Sequence, residues 1–336
     1  MLKSCPTNAI LFTHGDNDTY PLYYAQQKLN IRPDVSVINI SLLNLVAYAD
    51  LFRKSKIHQT AIDWTLSNDF LSDKRHAVSF LKIPDNGPRV GSMAFNDLLD
   101  QYKNDPQYFE ITGGSYLNHS SPNIFLDYQT TAIELNNLYQ LSKPQLLIYG
   151  LISKTDRPIC FGVQGGVEAF LGLEDYLLQQ GDIYLFQAEK MEDYSRLGKL
   201  DFDKTLDLIL NEYKYQENAK DLPAYNQFAQ HYRNLVSQLY NFSEISVVQK
   251  EKRLAALEKI NTALPAGAYP HKSMVSLYFA LCFLNEEKTA QGEAIISELE
   301  RHAQQVQADL NASEREQYEA EQILSQVERI RSFLED

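Results

Sequence analysis

An unbroken apolar run, Ala9 to Phe12, is followed by Thr13-His14-Gly15-Asp16-Asn17-Asp18, all polar or turn-prone. A short, continuous run of this kind is the pattern of a strand buried on both faces. The polar stretch reads as a loop, Thr19 as a helix cap and Pro21 as a first-turn residue, which predicts a helix over 20–29. Ile31-Arg32-Pro33-Asp34 breaks it. Val35 to Ile40 is rich in β-branched residues and predicts a second strand, closed by Ser41-Leu42-Leu43-Asn44, with a helix over 45–54. Strand, helix and strand at this spacing form a βαβ unit with a right-handed crossover, so both strands release the chain at one edge of a sheet.

From 56 to 130 the pattern is irregular. Ala77 to Ile83 and Asn123 to Tyr128 read as strands, Phe95 to Tyr102 as a helix, and Pro84 to Pro88 and Gly113-Gly114 as turns. The stretch reads as an insertion over or beside the sheet. Helices are predicted over 131–141 and 145–153, a buried strand over 158–163, a turn at Gln164-Gly165-Gly166, a helix over 167–179 and a strand over 182–187. The fold class expected for residues 1–198 is therefore α/β and Rossmann-like, with a mostly parallel sheet.

Past residue 200 the period changes to three and four. Tyr225, Phe228, Tyr232, Leu235, Val236 and Leu239 line one helix face, and Leu254, Leu257, Ile260 and Leu264 another that Pro265 ends. Met274 to Leu284 is nearly all apolar and predicts a helix buried on most sides. Ile295, Ile296, Leu299, Ala303 and Val306 mark the next, and Ser313 with Glu316 forms a capping box before Tyr318, Ile323, Val327, Ile330 and Leu334. Residues 199–336 are expected to form an all-α domain of antiparallel helices. With small residues Ala280, Ala290 and Ala294 at close-packing positions, the domain reads as tetratricopeptide-like, an architecture used for scaffolding or protein binding.

Charge narrows the functional classes. Acidic residues outnumber basic ones 44 to 31, for a formal charge of −13, with no basic stripe. This argues against nucleic acid as a partner, since phosphate binding needs a basic face. The longest apolar runs fall well short of the roughly 20 residues of a membrane span, and no signal-peptide core is visible. The first strand begins with little lead-in, so the natural protein is expected to continue upstream of Met1. Cys5, Cys160 and Cys282 are far apart and odd in number, which excludes a local zinc knuckle and a disulfide framework; Cys160 and Cys282 sit in apolar runs and read as core.

The candidate chemistry lies in the opening loop. In open α/β sheets ligands bind at the carboxyl edge, and a helix N-terminus there favours an anion. The predicted pocket at that edge is lined by His14, Gly15, Asp16, Asn17, Asp18, Thr19, Tyr20 and Asn44. Asp16-Asn17-Asp18 also fits a D-x-D pattern, so Asp16 and Asp18 are the candidate ligands if a divalent cation binds; no other cofactor is expected. The same residue types serve plain turn and capping needs, and a hydrogen-bonded structural role is the competing reading for His14. The remaining histidines, His58, His76, His119, His231, His271 and His302, show no ligand spacing, and Glu168 and Glu174 read as surface charges. No nucleophile elbow or Gly-rich phosphate loop is present.

The stretch from Pro6 to Gln26, with Thr13-His14-Gly15-Asp16-Asn17-Asp18-Thr19-Tyr20-Pro21 at its centre, and then Ile31-Arg32-Pro33-Asp34-Val35 through Asn44, resembles the start of the soluble C-terminal region of a bacterial membrane-protein family. The N-terminal part of that family resembles GT-C glycosyltransferases, and the family is related to the transmembrane protein O-mannosyltransferases of animals. Arg157 to Val163, Leu171 to Tyr176 and the helical tail from Arg233 through Leu264-Pro265 resemble it too. At Gln164-Gly165-Gly166 the chain departs from the Pro and Asn usual in the family. The resemblance implies an extracytoplasmic accessory domain on the periplasmic side of the inner membrane, non-catalytic by itself. It would pack on the N-terminal transmembrane region of its parent, and the helical domain would bind an acceptor or partner protein. The alternative is a free-standing sugar- or phosphate-processing enzyme with a divalent ion at the Asp16/Asp18 loop.

Overall fold

The computed structural model describes residues 1–54, 61–66, 77–81, 92–104, 115–120, 123–128, 131–135, 140–163, 170–191, 199–214, 225–264 and 274–335. The Gln164–Gly166 turn, residues 167–169, the turns at 84–88 and 113–114, His58, His76, His271 and Pro265 lie outside them. The chain divides into two units, Met1–Asp201 and Phe202–Asp336.

The first unit opens with β1 (Ile10–Thr13), α1 (Asp16–Leu29), β2 (Ser36–Asn39), a 3-10 turn Ser41–Asn44 and α2 (Val46–Arg53). It continues with β3 (Ala77–Leu81), β4 (Ser92–Ala94), α3 (Phe95–Asn104), β5 (Ser115–Ser120), β6 (Asn123–Tyr128), β7 (Thr131–Leu135) and β8 (Gln140–Ser142). Then come α4 (Lys143–Ile152), β9 (Ile159–Gly162), β10 (Leu177–Gln180), β11 (Ile183–Phe186) and β12 (Lys199–Leu200). Among the described residues the main sheet has the order β12-β10-β11-β9-β1-β2, and two smaller sheets run β5-β3-β8 and β4-β6-β7.

β1 pairs in parallel with both β2 and β9, as a crossover unit requires. Every residue of these three strands is buried. Their side chains alternate between two cores. Ile10, Phe12, Ile38, Ile159 and Phe161 enter one core, which α2, α4 and the smaller sheets share. Ala9, Leu11, Val35, Val37 and Cys160 enter the other, which Leu22, Tyr23 and Ala25 of α1 cover. Burial on both faces explains why these strands read as unbroken apolar runs instead of alternating ones.

Several expectations are corrected. The sheet is mixed, because β11 is antiparallel to both β9 and β10. The predicted helix over 131–141 is instead β7, antiparallel to β6, followed by β8. Ile133 and Leu135 are buried while Thr131 and Ala132 are exposed, so burial alternates along the end of the strand and the period of two prevails. The described part of the predicted helix over 167–179 is a 3-10 turn, Glu174–Tyr176, running into β10. Leu171 and Gly172 adopt φ of 59° and 82°, left-handed backbone that no helix continues through. α1 starts at Asp16, earlier than expected, and Gly15 is its N-cap at φ 87°. Thr19 is therefore a helical residue and not the cap, and Pro21 lies inside the helix.

The second unit holds α5 (Phe202–Asp207), continued by a π-helical turn Leu208–Glu212, then α6 (Tyr225–Leu239), α7 (Val247–Ala263), α8 (Met274–Asn285), α9 (Thr289–Ala308) and α10 (Glu314–Glu335). α8 packs against α6 and α9, and α9 against α10. The expected capping box is present: the Glu316 N–H donates to the Ser313 hydroxyl at 3.3 Å, and the Ser313 N–H donates to the Glu316 carboxylate at 3.0 Å. Arg233 of α6 is fully buried. Its guanidinium donates to the Leu264 carbonyl at the end of α7 and to the Ser276 hydroxyl of α8, at 2.8 and 3.1 Å, and lies over the Phe279 ring. A cation at a helix C-terminus satisfies an orphan carbonyl and complements the dipole.

Candidate functional site

The register of the first two strands sets Thr13 beside Asn39, so β1 and β2 end together at one edge. The βαβ reading of the sequence thus places the loop after β1 and the turn after β2 at the same side of the sheet. A buried polar network fills the space between them. The Thr19 hydroxyl donates to the Gly15 carbonyl at 2.7 Å and accepts from the Asn39 side-chain amide at 3.0 Å. It also lies 2.8 Å from the Thr13 hydroxyl. The Thr13 hydroxyl also donates to the Ile38 carbonyl at 3.4 Å, so the partners of both hydroxyls lie within this edge.

Asn39 extends this network. Its side-chain oxygen accepts from the Ser41 and Leu42 N–H groups at 2.9 and 3.3 Å, which shapes the 3-10 turn toward Asn44. Its own N–H donates to the Tyr48 hydroxyl at 2.9 Å. Tyr48 and Tyr23 share a 2.7 Å hydrogen bond, and Tyr23 donates to the Val37 carbonyl at 3.2 Å. Burial raises both phenols above their ordinary value, so they stay protonated as donors.

Around this closed network the predicted pocket residues divide. His14, Asp16, Asn17 and Tyr20 are exposed, Gly15 and Asp18 are half-buried, and Thr19 is buried. Burial raises the Asp18 carboxyl above the usual carboxylate range, while the nearby His14 ring and the His14 N–H act in the opposite direction. Asn44 is exposed; its amide turns back to the Ser41 carbonyl at 3.0 Å, and its own carbonyl accepts from the buried Lys143 ammonium at 3.1 Å. Among the described residues, no group of three His, Cys, Asp or Glu side chains is placed to hold a metal ion.

Sequence reasoning missed Thr13, Asn39, Tyr23, Tyr48 and Lys143 as members of this edge. A signal existed for Asn39: an amide at the end of a strand otherwise buried and β-branched needs partners. Nothing along the chain announces Lys143, which comes to Asn44 only because α4 packs on the Ser41–Asn44 turn. A separate cavity of about 460 Å³ lies at the opposite edge of the sheet, where Pro158 leads into β9. Pro6, Tyr128, Asp156, Pro158, Phe186 and Glu189 line it.

The segment that carries the strand-helix-strand edge also carries a likeness to a known family. Residues 1–122 match the family model of TMEM260-associated domain 2. The match takes in β1, α1, β2 and α2, with the whole Thr13–Thr19–Asn39 network, so the part of the chain similar to TMEM260-associated domain 2 is the part that builds the edge. That domain is associated with a membrane protein. Among the described residues of this chain, no helix is long and apolar enough to cross a membrane. No curated protein and no solved structure matches the chain.

Proposed function

We propose that this chain is the extracytoplasmic accessory portion of a GT-C-like membrane glycosyltransferase, related to the transmembrane protein O-mannosyltransferases and non-catalytic by itself. The observation that carries the reading is the likeness of residues 1–122 to TMEM260-associated domain 2, a domain that accompanies a membrane protein. The α/β unit packs on the transmembrane region of the parent, on the periplasmic side of the inner membrane. The helical unit, as a tetratricopeptide-like array, holds the acceptor or a partner protein. The buried hydrogen bonds among Thr13, Thr19 and Asn39 support a positioning role for the β1–β2 edge, since these side chains bond to one another and to backbone carbonyls of the same edge.

The test has two arms. The gene upstream of Met1 is sequenced, and apolar segments of membrane-spanning length are expected there. The isolated chain is then assayed for sugar transfer from a polyprenyl-phosphate-linked donor, alone and with the full-length parent in detergent. The expected result is transfer only when the membrane part is present, lowered when residues 1–336 are deleted from it. A gene without apolar spans, or transfer by the isolated chain, overturns the reading.

A further inference from the structure

α10 carries an exposed aromatic ring with a hollow on each side. Tyr318 is 62% exposed and lines both hollows. The first, about 510 Å³, is bordered by α6, α8 and α10, where half-buried Met274 and buried Ile323 give it an apolar side. The second, about 450 Å³, lies between the end of α9 and the start of α10, with Gln307, Glu314 and Glu321 around it. Among the described residues that line the two hollows, Arg315 carries the one positive charge, and Glu319 pairs with it at 3.0 Å. Glu314 and Glu321 are exposed and have no ion-pair partner among the described residues. An apolar hollow, an aromatic ridge and two unbalanced carboxylates therefore share one face of the helical unit.

We propose that this face binds an extended peptide segment carrying an apolar residue and, two positions away, a lysine or arginine. The inference rests on the partner-binding role proposed for the helical unit and names the chemistry of that partner. In an extended chain, side chains two positions apart point the same way and stand about 7 Å apart, so one ring can sit between them. The apolar side chain enters the hollow beside Met274 and Ile323. The basic one lays its stem along Tyr318 and brings its charge to Glu314 and Glu321. Gln317 and Gln322 are exposed, one beside each hollow, and each presents a donor and an acceptor to the backbone of an extended segment, which has both to satisfy. The charge complementarity selects a basic segment over an acidic one, and the net charge of −13 on the whole chain draws it in from a distance.

The test is fluorescence anisotropy of the full chain with a short labelled peptide in which Leu-Ser-Lys is repeated, against the same peptide with Glu in place of every Lys. The Lys peptide is expected to bind about tenfold or more tighter than the Glu peptide, and less tightly as salt rises. Tyr318→Ala should weaken it about tenfold. Glu314→Gln combined with Glu321→Gln should weaken it about fivefold and flatten the salt dependence. Glu328→Gln, on α10 outside both hollows, should change nothing. The substituted side chains are all exposed, and melting followed by circular dichroism verifies that each variant is folded. Equal affinity for the two peptides, no saturable binding below about 1 mM, or an affinity that Tyr318→Ala leaves untouched overturns the proposal. Self-association of the chain that Tyr318→Ala abolishes would assign the face to a second copy and overturn it as well. Sugar transfer that depends on residues 1–336 while neither peptide binds would sink the docking face and leave the accessory role standing; peptide binding without that dependence would do the reverse.

Discussion

The side-chain amide of Asn39, at the end of β2, donates to the hydroxyl of Thr19, in the helix that crosses over from β1, at 3.0 Å. The bond joins the crossover helix to the strand it leads into, and both residues are buried. It gives the first prediction. Thr19→Val keeps the volume and removes the hydroxyl that accepts from the buried Asn39 amide. The expected loss is about 1–3 kcal/mol in urea unfolding. A double-mutant cycle with Asn39→Leu should show that the two losses do not add. Additive effects would mean that the pair is not coupled.

Arg32 grips Asp34 with two hydrogen bonds of 2.8 Å, and the Asn8 N–H donates to the same carboxylate. The Arg32 hydrogen bonds hold the Asp34 carboxyl at about 2, below its ordinary 3.8. Because the folded value is the lower one, the stabilisation is complete above about pH 4 and is lost as the pH falls toward 2. The side chains are 27% and 34% exposed, so screening limits the contribution to on the order of 1 kcal/mol. Asp34→Asn should destabilise the protein at pH 6 by that amount, and the difference from wild type should shrink toward pH 2. A difference that is constant across this range would exclude the pair as its source.

Gly150 lies within α4, where a Cβ would run into the Thr65 side chain, with the Thr65 Cβ and Cγ2 both at 3.0 Å. Alanine is favoured over glycine in a helix by about 1 kcal/mol, but overpacking against a short, branched side chain costs about 1–3 kcal/mol. Gly150→Ala is therefore expected to lower the melting temperature, and adding Thr65→Gly should recover part of the loss. A rise in melting temperature for the single variant would show that helix propensity wins.

Arg233 is enclosed by Leu264, Ser276 and Phe279. Lysine has a point charge in place of the planar fork that reaches two acceptors. Arg233→Lys should cost on the order of 3 kcal/mol, and Ser276→Ala about 1–3 kcal/mol. Guanidinium unfolding followed by helical circular dichroism measures both. Losses below about 0.5 kcal/mol would place the guanidinium outside the energetics of the helical unit.

The remaining prediction separates the accessory reading from a metal-dependent enzyme. Asp16 is exposed and Asp18 half-buried at the start of α1. Millimolar calcium, magnesium or manganese should leave the melting temperature unchanged. A rise that Asp16→Ala abolishes would instead establish a cation at the loop, by ligand linkage.

Much of the architecture was legible along the chain because burial pattern follows backbone period. Ala9 to Phe12, Val35 to Ile40 and Ile159 to Phe161 read as strands, since both faces are covered and no polar residue interrupts them. Tyr225 to Leu239 reads as a helix from spacing, and Met274 to Leu284 from a long, nearly unbroken apolar run. Two segments misled. Thr131 to Leu135 carries both periods in so few residues that only pairing with β6 decides between them. The stretch before Tyr176 offers helix-forming residues, but the left-handed backbone at Leu171 and Gly172 overrides them.

By itself the sequence determined a parallel β1–α1–β2 edge, an all-helical tail and a charge unsuited to nucleic acid, because each rests on local periodicity or on composition. Only the tertiary structure decided what stands at that edge and inside the helical unit. Thr19 meets Asn39, Lys143 meets Asn44, and Arg233 closes the end of α7. Each of these contacts joins residues on separate elements. Such a meeting is set by how helices and strands pack in three dimensions, and no spacing along the chain encodes it.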